Sequence, residues 1–354
     1  MTVSFDIAVC SGRFQPGLQA HVLAIRQALD LAPQCVIIVE NAGSAITPRH
    51  PFSARESARW LMHEFTAKER SRLHLTGLRA DYDAQRRIGT MKALARQAAA
   101  QTGSADHPLR CAIMLTDDET LPVPQGWTQV TPRHTIADES MRLRNALFGA
   151  PQPAEALTRY ADALPAHTFA ALRQWIDTPQ FATLRAEWDL IRRERNEWAD
   201  APYPPVFVTV DVVVTCAEHV LLIRRGAAPG RGLLALPGGF IEQAETLVQA
   251  ALRELREETR LSVDDDALLQ CLRGSHVFDA PFRSQRGRVI THAFHFELPH
   301  TSLPEVNAAD DAAEAMWVAI DELSSLESGF HDDHFLILDH FLEFADWSVP
   351  PFWA

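Results

Sequence analysis

Glutamates, an arginine and a glycine stand at fixed offsets between Gly239 and Leu261. Five residues separate Gly239 from Glu245, seven more precede Arg253, and Glu254, Glu257 and Glu258 follow directly. On a helix the three glutamates fall at i, i+3 and i+4, so their carboxylates share one face. Like charges that close repel unless something neutralises them. The neutraliser that suits carboxylate oxygens is a hard divalent cation, Mg²⁺ or Mn²⁺. Such an ion offsets the negative charge of its ligands and lowers the pKa of bound water. Glu254, Glu257 and Glu258 are the expected ligands, and Arg253 is expected to hold the cluster in place. Three glutamates alone would read as a solvated acidic face; the register of Gly239, Glu245 and Arg253 argues against that.

The elements that must position these groups are legible nearby. From Thr246 to Glu258 the pattern is helical, with Leu247, Ala251 and Leu255 at i, i+4 and i+8 and Val248 and Leu252 beside them. Leu236-Pro237-Gly238-Gly239 before it is a turn whose backbone carbonyls, Gly238's among them, are free to join the coordination. Arg260 stands where the helix should end in a left-handed residue, at a cost of about 1 kcal/mol relative to glycine.

This spacing resembles the Nudix box, G-x5-E-x7-R-E-U-x-E-E-x-G-U with U aliphatic, of metal-dependent pyrophosphohydrolases. Every position matches except Arg260, where the family has its second glycine. The residues leave the general base open among Glu314, Asp310 and Asp311, which precede Trp317 in a polar stretch read as a loop; Glu314 is placed in the catalytic set.

Composition narrows the alternatives. The chain has 354 residues and 47% hydrophobic residues, enough for two domains with their own cores. Its net charge of −13 makes it a poor general nucleic-acid binder, since phosphate backbones require a basic footprint. The cysteines Cys10, Cys35, Cys111, Cys216 and Cys271 are scattered and odd in number, which favours reduced thiols in a cytoplasmic protein. No signal peptide or membrane-length apolar run is evident.

The first half of the chain reads as strand (Phe5 to Cys10), glycine turn, helix from near His21 and strand (Cys35 to Glu40), a βαβ unit with a parallel sheet. Gly12-Arg13-Phe14-Gln15-Pro16 with His21 resembles the start of nucleotidyltransferases that include NMN adenylyltransferase, whose pattern is G-R-F-Q-P-x-H-x-G-H. Gly43-Ser44-Ala45, Pro51-Phe52-Ser53 and Arg144 continue the likeness. It implies nucleotide contacts at Gly12, Arg13, Phe14, His21 and Arg144. Leu18 replaces the first histidine, Ala20 the glycine, and Met141 a threonine, while Thr116 to Thr120 lacks the family's usual lysine. Losing one transition-state donor typically lowers a rate about 10²–10³-fold, so a degenerate adenylyl-transfer site is expected.

From Val206 to Cys216 and from His219 to Arg225 the pattern is strand. After the glutamate helix come strand-like Gln270 to Arg273 and His276 to Asp279, the loop Ala280 to Arg288, and a strand from Val289 to Leu298. Arg283, Arg286 and Arg288, with Phe278 before them, are the expected substrate-binding group, because the planar guanidinium fork suits a diphosphate.

The domains are expected at 1–150 (nucleotidyltransferase-like), 151–202 (a helical connector) and 203–354 (an α/β/α sandwich with a mixed sheet), so both folded domains are α/β. This order resembles fused proteins in which an NMN adenylyltransferase-like domain precedes a Nudix domain acting on ADP-ribose. The resemblance implies hydrolysis of ADP-ribose to AMP and ribose 5-phosphate, small-nucleotide partners (ADP-ribose, with ATP and NMN for the first domain), no nucleic acid, no membrane, and a homodimer as an option. Two other readings are an enzyme that also makes NAD, and a non-catalytic nucleotide sensor.

Overall fold

A computed structural model of the chain describes residues 5–100, 108–116, 123–134, 138–299 and 301–347. The chain divides into two compact units, one comprising residues up to Ala186 together with those from Trp347 on, the other Glu187–Asp346.

The first unit begins with β1 (Ile7–Gly12), α1 (Gln19–Leu31) and β2 (Gln34–Glu40). Next come α2 (Ala54–Met62), α3 (Ala67–Arg70), β3 (Leu73–Leu78), α4 (Ala84–Ala100), β4 (Cys111–Leu115) and β5 (Thr128–Gln129). Helices α5 (Glu139–Gly149), α6 (Pro153–Thr158) and α7 (Ala166–Trp175) follow, and the division between the units falls within α8 (Pro179–Glu197). The sheet order is β3-β2-β1-β4-β5, with every pairing parallel. Ile7 to Gly12 are all buried because both faces are covered, by Val22, Ile25 and Leu61 on one side and Met91, Ala95 and Ala98 on the other. Polar groups gather at the carboxyl ends of the strands, where the Ser11 hydroxyl donates to Glu40 at 2.8 Å.

The second unit contains β6 (Val206–Cys216), β7 (His219–Arg225), β8 (Leu234–Ala235), β9 (Gly238–Phe240), α9 (Leu247–Thr259) and α10 (Asp265–Gln270). It ends with β10 (Leu272–Phe278), β11 (Arg288–Leu298), β12 (Ala312–Ala319) and α11 (His334–Leu342). The sheet runs β10-β11-β6-β7-β12, with β8 on β7 and β9 on β6. It is mixed: β11 is parallel to β6, and the other pairings are antiparallel. Val210, Val212 and Val214 pack under α9 on one face, while Val213, Ala293 and Phe278 pack under α11 on the other, the sandwich that strand alternation dictates.

Three local expectations change. Gln270 belongs to a helix, not a strand, because the Asp264 side chain accepts from the Ala267 N–H at 3.0 Å and starts α10. The two strand-like pieces that follow are one strand with an irregularity between Leu272 and Gly274. Glu314 lies not in a loop but on β12, opposite Arg224. Among the described residues no helix is long and apolar enough to cross a membrane.

Candidate active site

Helix α9 starts where its sequence supplies a reciprocal cap. The Thr246 hydroxyl accepts from the Gln249 N–H, and Gln249 Oε1 accepts from the Thr246 N–H at 2.9 Å. Its apolar face lies on β6, which leaves the charged face along the Gly238–Phe240 strand. There Arg253 forms a hub. It donates to Glu245 at 3.0 and 2.7 Å, to Glu254 at 2.8 Å, to Glu257 at 2.9 Å and to the Phe240 carbonyl at 3.1 Å.

The glycines matter for clearance. A β-carbon on Gly239 would lie 2.6 Å from Glu254 Oε1, so only glycine lets that carboxylate approach the strand. Gly238 opposes Asp211 on β6, and the neighbouring bond from Val212 N–H to Pro237 O makes 211–238 a non-hydrogen-bonded pair. The Gly238 backbone groups therefore face away from β6, and its N–H donates to Glu258 Oε2 at 2.9 Å.

Glu258 is only 5% exposed. Burial, with Glu254 and Asp211 nearby, pushes its carboxyl up to about 8 despite the Gly238 hydrogen bond and Arg225. Burial likewise raises Glu254, against the pull of Arg253 and with Glu257 and Asp310 adding to the rise. The two raised carboxyls, Glu254 and Glu258, are what a divalent cation would relieve. Among the described residues no three side chains yet converge as a ready metal cage: Arg253 engages Glu254 and Glu257, while Glu258 faces Gly238. The donor set of Glu254, Glu257, Glu258 and the Gly238 carbonyl is all hard oxygen and fits Mg²⁺ or Mn²⁺.

The structure separates the other candidates. Glu314 is an exposed partner of Arg224 at 2.8 Å, and the candidate base that Glu254 feels is Asp310. Arg283 is buried in a two-pronged pair with Asp333 at 2.8 and 2.7 Å. Arg286 binds Glu194 at 2.8 Å, and its guanidinium lies 5.0 Å over the Phe240 ring. Arg288 donates to the Asp279 carbonyl. Phe278 is a core residue, 5% exposed and packed edge-on against His276 and His340.

Several residues near the site escaped the sequence reading. Asp211 accepts from the Thr291 hydroxyl at 2.6 Å and lies 3.9 Å from His334 Nε2. His334 Nδ1 accepts from the Leu236 N–H at 2.9 Å. Arg225 feels Asp332, Glu258, Arg286 and Asp311, and burial lowers its pKa. An acidic residue inside the otherwise apolar run Val206–Cys216 was the available signal for Asp211.

In the first unit, Gly12 ends β1 and Phe14 follows in a left-handed conformation (φ 51°), its ring fully buried and edge-on to His21 at 5.0 Å. His21 Nδ1 accepts from the Leu18 N–H at 2.8 Å at the start of α1. Leu18 is itself fully buried, so its methyls fill core and do not line an open phosphate site. Arg144 donates to the Gln15 carbonyl. Arg13, Arg49 and Arg144 all act on His50, which the sequence reading passed over; burial first, and then these cations, hold its ring well below the usual histidine pKa. The lysine-lacking segment lies outside the described residues from 117 on.

His50 gives a pH prediction. The unfolded chain protonates this ring near pH 6.5 while the folded protein resists, so the unfolded state binds more protons below that value. The stability contribution is whole above pH 6.5 and is lost as pH falls below it. The melting temperature of the wild-type protein should therefore drop more between pH 7.5 and 5 than that of His50→Gln, as calorimetry would measure; parallel curves would contradict it.

The sequence profile of the NUDIX domain matches residues 205–341. The chain is 37% identical over 119 residues to an ADP-ribose pyrophosphatase of Methanocaldococcus jannaschii, spanning 34% of this chain and 65% of that protein. It is 30% identical over 90 residues to a nicotinamide/nicotinic acid mononucleotide adenylyltransferase of Acinetobacter baylyi, spanning 25% of this chain and 48% of that protein. It thus spans less than two thirds of either relative. A crystal structure of a bifunctional NMN adenylyltransferase/ADP ribose pyrophosphatase from Francisella tularensis, complexed with AMP and a Mn ion, superposes with a TM-score of 0.83 at 27% identity, covering 96% of this chain and 99% of that one. Residues 205–341 are a Nudix domain, set in a chain that has the two-domain fold of that bifunctional protein.

Proposed function

We propose that the Nudix domain hydrolyses ADP-ribose to AMP and ribose 5-phosphate, and that the N-terminal domain binds an adenine nucleotide but transfers adenylyl groups poorly. The observation that carries the first part is the Arg253 hub, which gathers Glu245, Glu254 and Glu257 beside the Gly239 clearance. The likeness to an ADP-ribose pyrophosphatase points to the substrate. Mg²⁺ or Mn²⁺, held by Glu254, Glu257, Glu258 and the Gly238 carbonyl, would neutralise the diphosphate and acidify the attacking water. Arg253 orients the carboxylates, Asp310, whose charge acts on Glu254, would take the proton, and Arg286, which here pairs with Glu194, would turn to a phosphate oxygen. Arg286→Ala should raise KM for ADP-ribose more than it lowers kcat, because the contact is made in ground and transition states alike; steady-state kinetics would show it, and a fall in kcat at constant KM would contradict it.

The N-terminal reading rests on the cations around His50 together with Leu18 and Ala20 in place of the family's histidine and glycine. NAD synthesis is the second reading, favoured by the surviving Arg13, His21 and Arg144. The deciding experiment supplies purified protein with Mg²⁺ and ADP-ribose, then separately with NMN and ATP. AMP release in the first and little or no NAD in the second is the expected pair of results. Brisk NAD formation would make the protein bifunctional, and no AMP would remove the pyrophosphatase reading.

A further inference from the structure

Three aromatic rings run outward from the glutamate cluster. Phe240 follows Gly239 directly, and its carbonyl accepts from Arg253 at 3.1 Å. Its ring stands edge-on to Phe207 at 5.9 Å, and Phe207 stands edge-on to Trp198 at 5.4 Å. These rings do not belong to the core: β6 is buried only from Val210 on, Phe240 is 40% exposed and Trp198 is 49% exposed. The loop after Arg286 comes close to the same rings, since a β-carbon on Gly287 would lie 3.4 Å from Phe207. Arg286 completes the arrangement, its guanidinium 5.0 Å over Phe240 and its edge bound to Glu194.

Half-exposed rings, a cation and a carboxylate cluster therefore follow one another from Trp198 through Phe207 and Phe240 to Arg253. A nucleoside diphosphate has the matching order: base, ribose, charged diphosphate. Every base offers a π-face, and aromatic or guanidinium planes bind it by stacking. We propose that Phe240, Phe207 and Trp198 form the seat of the substrate's adenine base, with Arg286 between the base and the phosphates. This rests on the reading above that the site takes a nucleoside diphosphate. It places the AMP half of ADP-ribose on the aromatic side of the carboxylates and the ribose 5-phosphate half away from the rings.

The test separates the halves. AMP and ribose 5-phosphate are added as inhibitors of ADP-ribose hydrolysis, a reaction that reads the Nudix site alone. Phe240→Ala should raise KM and the inhibition constant of AMP about tenfold, the scale of one lost base–aromatic stack. The inhibition constant of ribose 5-phosphate should stay as in wild type, kcat should hold within about twofold, and Phe240→Tyr should restore AMP affinity. An unchanged AMP constant, or an equal weakening of both products, would overturn the proposal. So would a change of oligomeric state in Phe240→Ala without any change in AMP affinity, since the rings would then join copies of the chain. If wild type does not hydrolyse ADP-ribose, it is the reading of the site that fails. The seat is then judged by calorimetry with AMP and Mg²⁺: weaker binding in Phe240→Ala than in wild type supports it, and identical isotherms overturn it.

Discussion

Glu257→Gln is expected to lower kcat for ADP-ribose hydrolysis by at least about 10²–10³-fold, the scale of losing one charge-stabilising group at a transition state. Glutamine keeps the shape and removes the charge. The fold should hold, because the Glu257 side chain is 48% exposed and the contact it shows is one hydrogen bond from Arg253 at 2.9 Å. An exposed pair of this kind contributes on the order of 0–1 kcal/mol. Turnover at saturating Mg²⁺ and a melting curve measured on the same preparation would test both halves of this statement. Undiminished turnover would remove Glu257 from the ligand set. A collapse in melting temperature would mean that the loss reflects structure and not chemistry.

Arg253→Ala should be damaging in a different way. The guanidinium serves Glu245, Glu254, Glu257 and the Phe240 carbonyl at once, and the charge of these partners raises its pKa. Removing it leaves three carboxylates crowded without a counter-charge. Stability should fall by about 2 kcal/mol, the size of a charged hydrogen-bond set discounted for partial exposure. Activity should fall about 10²-fold, because outer-shell partners hold ligands in place. Arg253→Lys should recover little, since a single ammonium lacks the fork that reaches four acceptors. The distinguishing readout is the Mg²⁺ concentration for half-maximal rate, which should rise in both variants. An unchanged Mg²⁺ dependence would reduce Arg253 to a stabilising residue.

What the sequence disclosed was local. Gly239, Glu245, Arg253, Glu254, Glu257 and Glu258 lie on one turn and one helix, where spacing alone fixes which groups face each other. The parallel sheet is legible for a similar reason, since Cys35 to Glu40 is an almost wholly aliphatic run, whereas the mixed sheet follows from the Nudix resemblance. What stayed hidden depends on contacts between distant residues. The loop sequence suits Arg283 to a phosphate, but Asp333, fifty positions on, holds it in a buried pair. Phe278 beside the arginine loop and Phe14 in the resembling motif are expected at ligands, yet packing buries both. His50 gained significance only when the fold set Arg13, Arg49 and Arg144 around it. Glu314 was misplaced because a short polar stretch before Trp317 gives no sign of where the strand begins; pairing with β7 decides that.

The end of α9 has a practical consequence. Arg260 closes the helix with φ 44° and ψ 37°, its N–H bonded to the Arg256 carbonyl. The backbone thus makes the left-handed stop that the family makes with glycine, while carrying a side chain that disfavours it. The strain sits one turn from the carboxylates but on a residue that holds none of them. For an engineer this marks a reserve of heat tolerance separable from chemistry, at a site where the usual exchange of activity for robustness need not apply.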